Sequence, residues 1–152
     1  MSEIKRIKSQ LRRAYEGQAW HGPSLKELLS DVTAEQAARR PVESAHSIWE
    51  LVLHINAWER IVRLRLTNPP AVEPSEEENF PPVQETSEAA WAETLTRLEE
   101  GNRALRDAIT ELDQSRLAEI VPGTEYSVYF MLHGVIQHDL YHAGQIALLK
   151  KA

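Results

Sequence analysis

Met131-Leu-His-Gly-Val-Ile-Gln-His-Asp-Leu-Tyr-His-Ala-Gly-Gln-Ile-Ala-Leu-Leu149 reads as one long helix with a polar insertion in its apolar seam. Steps of three and four place Met131, Val135, His138, His142, Gln145 and Leu149 on a single line of an α-helix. Both ends of the line are apolar, and its middle holds two histidines one turn apart. Such a seam faces a packed interior, where imidazoles are a poor choice for packing alone. At i and i+4 on one face, two imidazoles can hold one metal ion. The helix should start near Ser127 and reach Lys150. Gly134 and Gly144 inside it each cost about 1 kcal/mol against Ala, which close approach of another helix would explain.

Three further long helices precede this one. The first spans about Ser2 to Gln18, with Ile4, Ile7, Leu11, Ala14 and Tyr15 at helical spacing. Trp20-His-Gly-Pro23 breaks the pattern. Ser24 then caps a short helix carrying Leu25, Leu28 and Leu29, and Thr33 with Gln36 forms a capping box for another short turn before Pro41. The second long helix starts at the capping box Ser47/Glu50 and runs to about Leu66. Its stripe is Ile48, Leu51, Val52, Ile55, Trp58, Val62 and Leu66, with His54 on the edge. The third runs from about Ser87 to Leu112. Its seam of Trp91, Leu95, Leu98, Asn102, Leu105, Ile109 and Leu112 is interrupted by one polar residue, Asn102, which either sets register or faces a cavity.

Asn68 to Thr86, with five prolines and five glutamates, reads as a long solvated crossover loop. Asp113 to Tyr126 reads as a loop with a turn at Pro122-Gly123. No strand pattern is present. The expected fold is all-α, a four-helix bundle with short extra helices between the first and second long helices and a long crossover, forming one domain over residues 1–152.

Composition narrows the function. A formal net charge of −6 opposes a nucleic-acid partner. No apolar run approaches the roughly 20 residues of a membrane span, and no secretory h-region follows the N-terminal Met, so the expected location is cytoplasmic. The chain has no cysteine, which excludes disulfides and thiolate metal sites. No phosphate-binding glycine loop occurs.

Of the six histidines, His138 and His142 share the seam. His133 lies about 140° away around the same helix and points elsewhere. His21 and His46 sit at helix ends as surface or capping residues. His54 lies within an apolar helix, where a polar group is costly unless paired, and can face the seam. Three imidazoles from two helices would leave an open position, the ligand count of a catalytic divalent site. The alternative is three hydrogen-bonded core histidines.

Ser47-Ile-Trp-Glu-Leu-Val-Leu-His-Ile-Asn-Ala-Trp-Glu59 and Leu132-His-Gly-Val-Ile-Gln-His-Asp-Leu-Tyr-His-Ala-Gly-Gln-Ile146 resemble the DinB-like superfamily. The resemblance extends to Trp20-His-Gly-Pro-Ser24, the proline-rich crossover and Trp91. It implies a four-helix bundle with one divalent metal, zinc or nickel, on His54, His138 and His142. It further implies a small-molecule substrate, frequent homodimers, and thiol-dependent transfer or isomerisation with a low-molecular-weight thiol as co-substrate. Metal-dependent hydrolysis is the alternative activity, and a non-enzymatic stress-related metal- or ligand-binding bundle is a further one. Tyr141 and Gln145 flank the histidine pair in packing and hydrogen-bonding roles, or orient substrate. Glu50 is a cap rather than a carboxylate supporting His54.

Overall fold

A computed structural model describes residues 1–67 and 69–152. It contains α1 (Glu3–Glu16), α2 (Leu25–Leu29), α3 (Ala34–Ala38), α4 (Ile48–Arg65), α5 (Glu76–Asn79), α6 (Glu88–Thr110) and α7 (Val128–Leu149), with a 3₁₀ turn at Gln114–Ala118. Among the described residues there is no strand beyond isolated bridges. The all-α expectation holds, and the four long helices begin and end within about two residues of their expected bounds.

The boundaries follow from capping chemistry. Ser2, Ser24, Thr33, Ser47, Ser75, Ser87 and Ser127 each accept a hydrogen bond from a first-turn backbone N–H of the helix they precede. Such a cap contributes about 1 kcal/mol. The expected boxes Thr33/Gln36 and Ser47/Glu50 both form. Ser24/Glu27 and Ser75/Glu78 form as well.

The long helices meet as α4 on α6, α4 on α7, α1 on α6 and α1 on α7. Two apolar clusters fill the space between them. One gathers Tyr15, Leu25, Trp49, Val52, Ile55, Trp91, Leu98 and Ile146; the other gathers Ile7, Leu11, Val62, Leu105, Ile109, Leu132 and Val135. Residue numbers rise from the first cluster to the second along α4 and α6, and fall along α7. Hence α4 and α6 run one way while α1 and α7 run the other. Two parallel neighbours cannot be joined by a short loop, which accounts for the long crossover. No helix among the described residues is long and apolar enough to cross a membrane.

Two expectations need correction. The segment from 69 to 86 is not simply a solvated loop. The Ser75/Glu78 box starts a helical turn, α5, that lies against α4, and Phe80 and Val83 pack on the first apolar cluster. Ala71 N–H also donates to Pro122 O at 2.7 Å, tying the crossover to the turn before α7. Asn68, the expected first residue of this loop, lies outside the described residues. Nor do Gly134 and Gly144 mark a close helix crossing, because a Cβ built on either meets nothing within 4 Å. The tight approach is at Gly101 of α6, where a Cβ would lie 2.4 Å from Asn56 Oδ1 and 3.7 Å from Glu59 Oε2 of α4.

Candidate metal centre

The helix faces bring His54 of α4 together with His138 and His142 of α7. Their ring centroids form a near-equilateral triangle with sides of 4.8, 4.7 and 4.4 Å. One ring nitrogen from each lies within 4.8 Å of the other two, so the group could hold a metal ion. His54 and His142 are buried and His138 is half-buried.

The hydrogen bonds set the tautomers. His54 Nδ1 lies 2.6 Å from Asn79 O, and a carbonyl only accepts, so Nδ1 carries the proton and Nε2 is bare. His142 Nδ1 donates to Gln145 Oε1 at 2.6 Å, leaving its Nε2 bare as well. This is the arrangement that holds metal-ligating imidazoles in place. His138 Nε2 faces His54 Nε2 at 2.9 Å. With no cation between them, His138 must donate from Nε2, which strips its Nδ1 of a proton. That Nδ1 is buried and has no partner. A cation taking the Nε2 atoms would return the proton to Nδ1, which lies 3.7 Å from Asp139 Oδ1. The three-imidazole donor set fits a borderline divalent ion, and without one the Nε2–Nε2 contact reads as a hydrogen bond between the two rings.

Burial supports the same chemistry. Desolvation lowers His54 to about 4, offset in part by the Asn79 carbonyl and reinforced by the neighbouring imidazoles. Desolvation alone lowers His138 to about 4. His142 is lowered too, mainly by desolvation, with Gln145 opposing. All three are neutral at neutral pH, the state in which imidazole is a ligand.

A family model described as the DinB superfamily matches residues 19–146. The chain belongs to the DinB superfamily. A search of the curated proteins and of the solved structures finds no match to the chain.

In this DinB-superfamily bundle the remaining histidines separate as expected, with one refinement. His133 faces α1, 3.9 Å from Glu3 Oε1, with its ring tilted against Tyr129 at 4.4 Å. His21 is exposed. His46 is exposed but stacks on Phe80 at 3.9 Å, and Phe80 stacks on His54 at 3.9 Å, so His46 reaches the centre only through an intervening ring. Gln145 serves by hydrogen bonding, and Tyr141 is exposed with its ring edge against His142. Glu50 caps α4 and pairs with Arg40.

Sequence reasoning missed Asn79 and Phe80, which the crossover delivers to His54, and Trp58 Nε1, which donates to Asn79 Oδ1 at 2.8 Å. The one available signal was the Ser75/Glu78 spacing, identical to that of Ser47/Glu50. It missed a second polar cluster as well. Glu59 of α4, Asn102 of α6 and Asp139 of α7 are buried between the two apolar clusters. Asn102 Nδ2 donates to Glu59 Oε1 at 2.6 Å, while Glu59 Oε2 and both Asp139 oxygens have no partner among the described residues. Burial and their mutual repulsion push Glu59 well above the carboxylate range; burial pushes Asp139 up to about 8. The pair therefore retains a proton at neutral pH, donated from one carboxyl to the other.

Proposed function

We propose that the protein is a metal-dependent enzyme in which His54, His138 and His142 hold one divalent ion, zinc or nickel. The reaction is thiol-dependent transfer onto a small electrophile. The observation that carries the reading is the convergence of three imidazoles whose Nδ1 atoms face Asn79, Gln145 and Asp139. When bound, the ion supplies Lewis-acid chemistry that lowers the pKa of an adjacent thiol or water toward neutrality.

The chain's own residues do the rest. Asn79 O and Gln145 Oε1 hold the rings in orientation. Phe80 and Trp58 shield one side of His54 from water. A cavity of about 370 Å³ opens beside His54 and His138, walled by Trp58, Val62, Met131 and Val135. No carboxylate lines it among the described residues, so no acidic side chain there stands ready to take a proton from water. That favours a substrate thiol over hydrolysis, and the lack of cysteine means the thiol arrives from outside the chain. The reading includes a cytoplasmic homodimer with a small-molecule substrate.

The test is to load the protein with zinc or nickel and offer low-molecular-weight thiols with electrophiles, alongside simple esters and amides. Metal-dependent thiol conjugation that disappears in His142→Ala is the expected result. Failure to bind either ion at stoichiometry, or ester hydrolysis without thiol conjugation, would overturn it.

A further inference from the structure

The cavity beside the histidines has a second end. On α4, His54, Trp58, Val62 and Arg65 follow steps of four, four and three, so they share one face over about 16 Å of helix. Trp58 sits between the ends, its ring 6.5 Å from His54, 5.9 Å from His138 and 5.7 Å from the Arg65 guanidinium carbon. Its indole is pinned by Asn79. Val62, Met131 and Val135 make the stretch between the ends apolar.

Arg65 is 6% exposed, yet among the described residues no buried carboxylate pairs with it. Nη1 donates to the Tyr126 hydroxyl at 2.6 Å and Nη2 to Val72 O at 3.3 Å, both neutral acceptors. The carboxylate paired with it, Glu73 Oε1, is 3.9 Å away on a side chain that is 88% exposed. A buried guanidinium whose paired carboxylate sits on an exposed side chain is costly to desolvate, and its two hydrogen-bond acceptors among the described residues are both neutral. A carboxylate in the cavity would supply a desolvated counter-charge in the planar, two-point geometry that a guanidinium matches.

We infer that the cavity binds an organic carboxylate, with the carboxylate on Arg65, an apolar body along Trp58, Val62 and Val135, and the opposite, reacting end at the three histidines. The inference deepens the proposed function by naming the class of its substrate, and only the placement of the reacting end rests on that reading. Arg65 is then a specificity residue, some three helical turns from the chemistry.

Octanoate and its neutral counterpart octanamide are the probes, titrated calorimetrically into zinc-loaded wild type, chelator-treated wild type and Arg65→Gln. Octanoate should bind roughly tenfold or more tightly than octanamide in wild type, with or without zinc, and the preference should vanish in Arg65→Gln. In parallel, octanoate should shift the Trp58 indole and Arg65 guanidinium resonances of wild type, a readout that stands even if the variant does not fold. Equal affinities, no binding of octanoate, a preference that survives Arg65→Gln, or unshifted resonances would each overturn the inference. A preference that disappears with the zinc would also overturn it, since the carboxylate would then be sitting on the ion. If the protein takes up no zinc, the metal reading fails while the acid–amide comparison still decides the role of Arg65.

Discussion

The bundle carries two polar clusters on its α4–α7 interface, and they are built for opposite purposes. His54, His138 and His142 sit beside a cavity, with the Nδ1 atoms of His54 and His142 anchored and one ring nitrogen from each of the three within 4.8 Å of the others. Glu59, Asn102 and Asp139 sit sealed between the two apolar clusters, under-satisfied and short of a charge partner. Burial acts on both in the same physical sense, against the charged form. For imidazoles this means losing a proton and becoming ligands. For carboxyls it means keeping a proton and becoming mutual hydrogen-bond partners. The same desolvation thus prepares one cluster for a cation and keeps the other protonated, and the two adjoin where His138 Nδ1 lies 3.7 Å from Asp139 Oδ1.

The largest effects should come from the open cluster. His54→Ala, His138→Ala and His142→Ala should each lower zinc affinity by more than about 100-fold, since loss of a ligand exceeds the 10–100-fold cost of losing a supporting contact. His133→Ala should bind zinc as wild type does, because that ring faces α1. Metal analysis after dialysis reads both, and equal losses in all four variants would break the assignment of helix faces.

The closed cluster should show itself in stability rather than in metal content. Glu59→Ala leaves a cavity and an unpartnered Asn102 amide, and should cost about 2–4 kcal/mol in urea unfolding with zinc stoichiometry unchanged. If the zinc is lost with the stability, the two clusters are one functional unit.

Titration of metal-free protein sharpens the contrast. Above about pH 7.5 His54, His138 and His142 are neutral in both the folded and unfolded states and drop out of the balance. The unfolded carboxyls are ionised there, whereas the folded pair still binds a proton. The folded state therefore holds more protons, and stability falls as pH rises toward about 8, by up to about 1.4 kcal/mol per pH unit. Below about pH 6.5 the sign reverses. Folded His54 and His138 resist protonation down to about 4, and burial lowers His142 as well, so stability is lost as pH falls. Thermal melts should show a maximum near neutrality. In Glu59→Gln the alkaline slope should flatten and the acid slope should stay.

The smallest predicted effect concerns the supports. Gln145→Ala removes the acceptor that orients His142 and should weaken zinc binding about tenfold, measured by chelator competition. No change would mean that packing alone holds the ring.

Much of this was legible in the chain itself. The Ser and Thr caps marked the helix starts, because a side-chain oxygen three residues before an N–H satisfies it locally whatever the tertiary context. The histidines were legible from residue spacing, since a helix face is a local property. The carboxyl cluster left a trace too. Glu59 lies on the line Val52, Ile55, Val62, and Asp139 on the line Leu132, Ile136, Ala143, Ile146, each the one charged residue in an otherwise buried row. What spacing could not show is that these rows converge with Asn102 at one level of the bundle.

The amino-acid sequence by itself determined the four long helices, their buried faces and the His138/His142 pair on one face, because each depends on interactions within a few residues. Only the tertiary structure decided that α4 and α6 run in parallel, so that the crossover must return along the bundle and lay Asn79 and Phe80 on His54. It alone placed Arg65 at the far end of the histidine cavity, paired among the described residues only with the exposed Glu73. Those outcomes depend on contacts between segments 25 or more residues apart, as between His54 and Asn79, whose register is set by packing of whole helices and by no local pattern.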